Sequence, residues 1–83
     1  RRLAGNDSWR ADRADASLGW SMIRNGDEQT GTPLLLDSQA RLLRALGPRN
    51  PAVQQATRYL LEYYRLHHRD ADAERVLAVL NSR

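Results

Sequence analysis

The chain has 83 residues, enough for one small domain, and thirteen basic against ten acidic residues give it a net charge of +3. It has no cysteine, which excludes disulfides and thiolate metal sites, and no lysine, which excludes Schiff-base chemistry. No apolar run reaches the roughly 20 residues that span a bilayer, and a chain of this size buries only about 60% of its unfolded surface, so a partner that adds buried area would stabilise it.

An all-arginine basic set is what a GC-rich, bacterial genome tends to produce. The expected setting is therefore a soluble protein of a bacterial cytoplasm or periplasm. The start, Arg1-Arg2 without Met, suggests a piece of something longer. The charges are interspersed rather than gathered on one basic face, so nucleic acid is the less favoured partner.

Residues 1–7 carry one Leu and read as a frayed terminus. Ser8 is placed to cap a first helix, with Trp9, Ala16, Trp20 and Ile23 at helical spacing. Its first half repeats Arg-Ala-Asp at a period of three, so the docking segment is taken as Ala16 to Ile23. Trp9 and Trp20 are three turns apart on nearly one face, where they either dock the helix or anchor a partner. Asn25-Gly26 signals a left-handed C-terminal cap, and Asp27 to Gly31 reads as a polar loop. Residues 1–31 are thus a weaker N-terminal helix with its loop, and residues 32–83 the helical hairpin core of the same domain.

Thr32-Pro33 is predicted to open the second helix. Its buried face would be Leu35, Leu36, Ala40, Leu42, Leu43 and Leu46, with Asp37, Ser38, Arg41 and Arg44 facing water and an Asp37 to Arg41 pair one turn apart. Gly47-Pro48 stops this helix and turns the chain into the longest apolar segment, NPAVQQATRYLLEYYRLHH, running from Asn50 to about His68. Asn50 is a good N-cap and Pro51 suits the first helical position. Polar residues Gln55, Arg58, Glu62, Arg65 and Arg69 recur at three or four residues and form one narrow stripe, while apolar residues fill the rest of the cylinder. A helix so apolar must be covered on more than one side. Asp70 is predicted to cap a last helix with Asp72 and Glu74 near its start and Ala73, Val76, Leu77 and Leu80 as its core face. No segment has strand character. The predicted fold is all-α, a small antiparallel bundle of three to four helices.

The last two helices resemble the tetratricopeptide repeat, a unit of roughly 34 residues with W-x2-L-G-x2-Y, then A-x3-F, then a closing P. Here Leu60-Leu61-x2-Tyr64 precedes Ala73-x3-Leu77 and Leu80 without a gap, and one repeat upstream Leu43, Leu46 and Pro51 fall in register. The resemblance covers residues 39 to 83, about one and a half repeats. The chain departs from the pattern at Leu61, where the family has a small residue, at Thr57, where it has Trp, and at His68, where Gly is common. The resemblance implies helix-hairpin packing and a peptide-binding groove lined by the first helix of each repeat, here Gln55, Arg58, Glu62, Arg65 and Leu66. Guanidinium groups at Arg58 and Arg65 suit carboxylates, so the expected partner is an acidic segment of another protein, or a second copy of this chain.

Adjacent His67 and His68 point about 100° apart and make a poor metal site. The serines sit in no nucleophile-elbow context. The sequence therefore predicts a non-catalytic binding module without cofactor or metal. The alternative is a helix-turn-helix-like DNA binder formed by the second and central helices, with Gln54, Gln55, Thr57 and Arg58 as base-reading types.

Overall fold

A computed structural model describes residues 8–81, so the expected fraying of residues 1–7 lies outside it. Four helices follow in order: α1 Ser8–Arg24, α2 Glu28–Leu46, α3 Pro51–Leu66 and α4 Asp70–Leu80. No strand occurs among the described residues, and the fold is a small all-α bundle. Successive helices pack in pairs, and α1 also touches α3, whereas α4 packs against α3 and reaches neither α1 nor α2. The core is built from Ala16 and Ile23 of α1, Leu35 and Leu42 of α2, Val53, Ala56 and Leu60 of α3, and Val76 of α4.

The turn between α1 and α2 uses the signal read at Asn25-Gly26. Gly26 has φ +96°, its N–H donates to the Ile23 carbonyl, and the Asp27 N–H donates to that of Met22 at 2.8 Å. This is the paired bonding of a Schellman cap, which satisfies carbonyls the helix end would leave open. Asp27 then becomes the N-cap of α2, its side chain accepting from the Thr30 N–H at 3.3 Å. The expected loop from Asp27 to Gly31 is therefore corrected: α2 starts at Glu28, Pro33 lies inside it, and the division placed at residue 31 falls within a helix. Proline at Thr32-Pro33 suggests a first helical position, but Asp27 offers a stronger cap five residues earlier.

The two helices of this hairpin touch through backbone. A Cβ added at Gly19 would lie 2.8 Å from the Gly31 carbonyl oxygen, and one added at Gly31 would lie 2.6 Å from that of Gly19. Toward the other end of the pair, Arg41 Nε donates to Asp12 Oδ1 at 2.9 Å. These two contacts fix α1 and α2 as antiparallel neighbours along most of their length. They also explain why α1 runs unbroken from Ser8, although its Arg-Ala-Asp half has few apolar residues.

The close approach rotates the buried arc of α2 onto the row Gly31, Leu35, Ser38 and Leu42. Ser38, expected in water, is fully buried and donates to the Leu34 carbonyl at 2.6 Å. Leu36 and Ala40, expected in the core, are exposed. The Ser38 hydroxyl is satisfied by its own helix, so burial leaves no open donor.

On the other side of α2, Gln39 Nε2 donates to Thr57 Oγ1 at 3.0 Å, and the Thr57 hydroxyl donates to the Val53 carbonyl at 2.7 Å. Near the opposite ends, His67 and Glu28 pair at 3.1 Å. These pairs run α2 and α3 antiparallel. The Asn50 side chain accepts from the Ala52 N–H at 2.9 Å with Pro51 at the first helical position, as the sequence predicts. α3 ends at Leu66, because His68 takes φ 56° and the Arg69 N–H closes onto the Tyr64 carbonyl at 2.8 Å. Arg69 consequently leaves the polar stripe of α3. It occupies the N-cap position of α4 with no side-chain capping bond, which corrects the expected Asp70 cap. Its charge goes instead to Asp72, which binds Arg69 at 2.7 Å and also Arg75.

Candidate interaction groove between α1 and α3

α1 and α3 run parallel, joined where the Trp20 and Tyr59 rings stack at 5.8 Å between centroids and 13° between planes. Trp20 thus docks the first helix, one of the two roles its position on α1 suggests. Tyr63 turns the other way and packs its ring against Tyr64 at 5.5 Å and His67 at 4.7 Å. The three tyrosines are therefore divided between packing sites.

Beyond the stacked rings toward the start of both helices, the seam opens into two adjoining depressions of about 470 and 430 Å³. Trp9, Arg13 and Gln55 line both, Arg10 and Ser17 join them in one, and Arg58 closes the other. No acidic side chain lines either. Trp9 and Gln55 are half-buried, Arg13 and Arg58 exposed. Neither Arg13 nor Arg58 has an ion-pair partner among the described residues. The Arg10 guanidinium lies 5.2 Å from the centre of the Trp9 ring, a cation–π distance. A third depression, lined by Ser17, Trp20 and Arg24, continues the seam along α1.

Of the residues singled out from sequence, the structure brings Trp9, Gln55 and Arg58 together and puts Trp20 next to them. Glu62, Arg65 and Leu66 lie further along α3, outside these depressions, with Leu66 65% exposed. The polar stripe is real, but only its N-terminal half faces another helix. Sequence reasoning missed Arg13 and Arg10. Arg13 is one turn after Trp9 and seven residues before Trp20, and that spacing on one face of α1 is the signal that could have found it.

The base-reading set of the DNA alternative is not presented together. Thr57 has no exposed surface and spends both hydrogen-bonding roles inside the bundle, and Gln54 is half-buried. No group of three or more His, Cys, Asp or Glu residues that could hold a metal occurs among the described residues. No described helix is long and apolar enough to cross a membrane.

The resolved shift of an ionisable group is at Arg41, on the far side of α2. Its hydrogen bond to Asp12 raises it above the usual arginine range, desolvation opposes this, and the charges of Asp12, Asp37 and Asp15 add to the rise. Arginine is protonated at physiological pH in any case, so the rise changes no charge on Arg41 there. Its role is to tie α1 to α2. Comparisons with protein-family models, with curated protein sequences and with solved structures gave no match for this chain.

Proposed function

We propose that the chain is a non-catalytic protein-interaction module that holds an acidic segment of a partner in the seam between α1 and α3. The observation that carries this reading is the convergence of Trp9 and Arg13 from one helix with Gln55 and Arg58 from another on one acid-free cleft. Trp9 offers apolar area, and two guanidinium groups without internal partners offer bidentate grips for carboxylates. The depressions are open to solvent, which suits a peptide lying along the surface better than a small molecule that needs to be enclosed. Helix order supports the tetratricopeptide-type reading as well: α1 with α2 and α3 with α4 form successive hairpins, and the parallel first helices line the proposed groove. A bacterial assembly or multidomain chain is the setting this reading favours.

The test is a nuclear magnetic resonance titration with a synthetic peptide of alternating Glu and Leu residues. The expected result is shift changes at the Trp9 indole and around Gln55. Affinity should fall at least about tenfold in an Arg13→Glu, Arg58→Glu variant that keeps its helical circular dichroism. Equal binding by the folded variant, or shifts confined to other surfaces, would overturn the reading.

A further inference from the structure

We infer that the acidic segment is supplied by a second copy of this chain, whose α4 docks in the α1/α3 cleft so that copies associate head to tail. This rests on the reading of the cleft given above and names its occupant.

The argument is one of matched charges. Several of the acidic side chains described in the structure are held within their own copy. Asp12 binds Arg41, with Asp15 and Asp37 acting on the same guanidinium. Asp27 caps α2 and Glu28 pairs with His67. Asp72 takes Arg69 and Arg75. Glu62 is exposed on α3 and makes no ion pair among the described residues, but it is a single carboxylate flanked on its own helix by Arg58 and Arg65.

Asp70 and Glu74 differ from the other unpaired acids in standing together on one face of a single helix. They are exposed, have no ion-pair partner among the described residues, and stand four apart, one helical turn of about 6 Å. Asp72 keeps the two arginines of this helix, Arg69 and Arg75, occupied, so the Asp70 and Glu74 pair keeps a net negative face. The exposed face of α4 therefore presents two carboxylates, and the cleft presents Arg13, Arg58 and Trp9. α4 is available for this because it packs against α3 alone. Cleft and α4 are different surfaces, so the contact is heterologous and propagates from copy to copy.

The test is light scattering on the whole chain over about 1 μM to about 1 mM, since an interface of one short helix lies at the weak end. Wild-type molar mass should rise with concentration and return toward the monomer when salt is raised from about 50 mM to about 500 mM. Arg13→Glu with Arg58→Glu, and separately Asp70→Arg with Glu74→Arg, should each weaken association at least about tenfold. An equimolar mixture of the two variants should associate again, because one keeps a native α4 and the other a native cleft. Association unaffected by either pair of reversals would overturn the inference. So would a wild type that stays monomeric throughout while still binding the Glu-Leu peptide, a result that keeps the groove and removes the second copy. A monomer that also fails to bind the peptide removes both.

Discussion

His68 shows how far a single residue can depart from what its type announces. It sits at φ 56°, in the left-handed region, where it closes α3: the His68 N–H bonds the Arg65 carbonyl and the Arg69 N–H that of Tyr64. Left-handed backbone costs an L-residue about 1–2 kcal/mol, and glycine avoids the cost. The side chain is exposed, so little packing is lost by removing it. His68→Gly should therefore stabilise the protein by about 0.5–1 kcal/mol, the gain reduced by glycine's greater freedom in the unfolded chain. Urea unfolding gives the number, and a lower midpoint would show that the imidazole does more than occupy the turn. The equivalent cap at Gly26 was legible because Asn-Gly declares a left-handed turn, whereas at His68 the only hint was that a tetratricopeptide-like register has glycine there. The same limit hid the interior of the second helix. Ser38 reads as polar and exposed, yet it turns its hydroxyl onto the Leu34 carbonyl and is buried without an open donor.

At the scale of elements, Gly19 and Gly31 decide how α1 and α2 meet. Glycine inside a helix is usually a defect worth about 1 kcal/mol relative to alanine, so an exposed Gly→Ala change normally stabilises. Here the sign reverses, because a Cβ at either position would meet backbone, which cannot rotate away. Gly19→Ala and Gly31→Ala should each lower stability by about 1–3 kcal/mol, the range for overpacking. Thermal denaturation followed by circular dichroism would measure it. A midpoint that stays level or rises would mean the hairpin opens without penalty, and the close crossing would lose its structural role. The periodicity of the sequence located four helices, since those depend on caps and local spacing, but it set a loop at Asp27 to Gly31 where α2 already runs from Glu28. It could not foresee the α1–α2 contact, because Gly31 lies next to Thr32-Pro33 and the pair reads as loop and helix start. That one misplacement shifted the expected buried face of α2 toward Leu36 and Ala40. The candidate groove was half legible for a related reason. Residues of α3 could be grouped by their own spacing, but Arg13 joins them only once the Trp20–Tyr59 stack sets α1 alongside.

The molecule as a whole is flat, with extents of 40 × 32 × 14 Å. In a layer this thin, burial depends on how many neighbours each helix has. α2 and α3 are covered by others on more than one side and supply most of the fully buried side chains, whereas α4 has one neighbour and contributes Val76 alone to the buried core. Local opening free energy follows burial and contact density, so α4 is the segment expected to open without the rest. Hydrogen exchange at dilute, low-micromolar protein should find α4 amides at least about tenfold less protected than those in the middle of α3. If α4 is also the segment that docks in the cleft of another copy, its protection should climb as concentration rises, while protection in the middle of α3 changes less. The two helices would then respond differently to the same dilution series, a difference that global stabilisation by association would not produce. Equal protection of α4 and α3 in dilute protein would show that the edge helix unfolds with the whole molecule, and that one neighbour is enough to hold it.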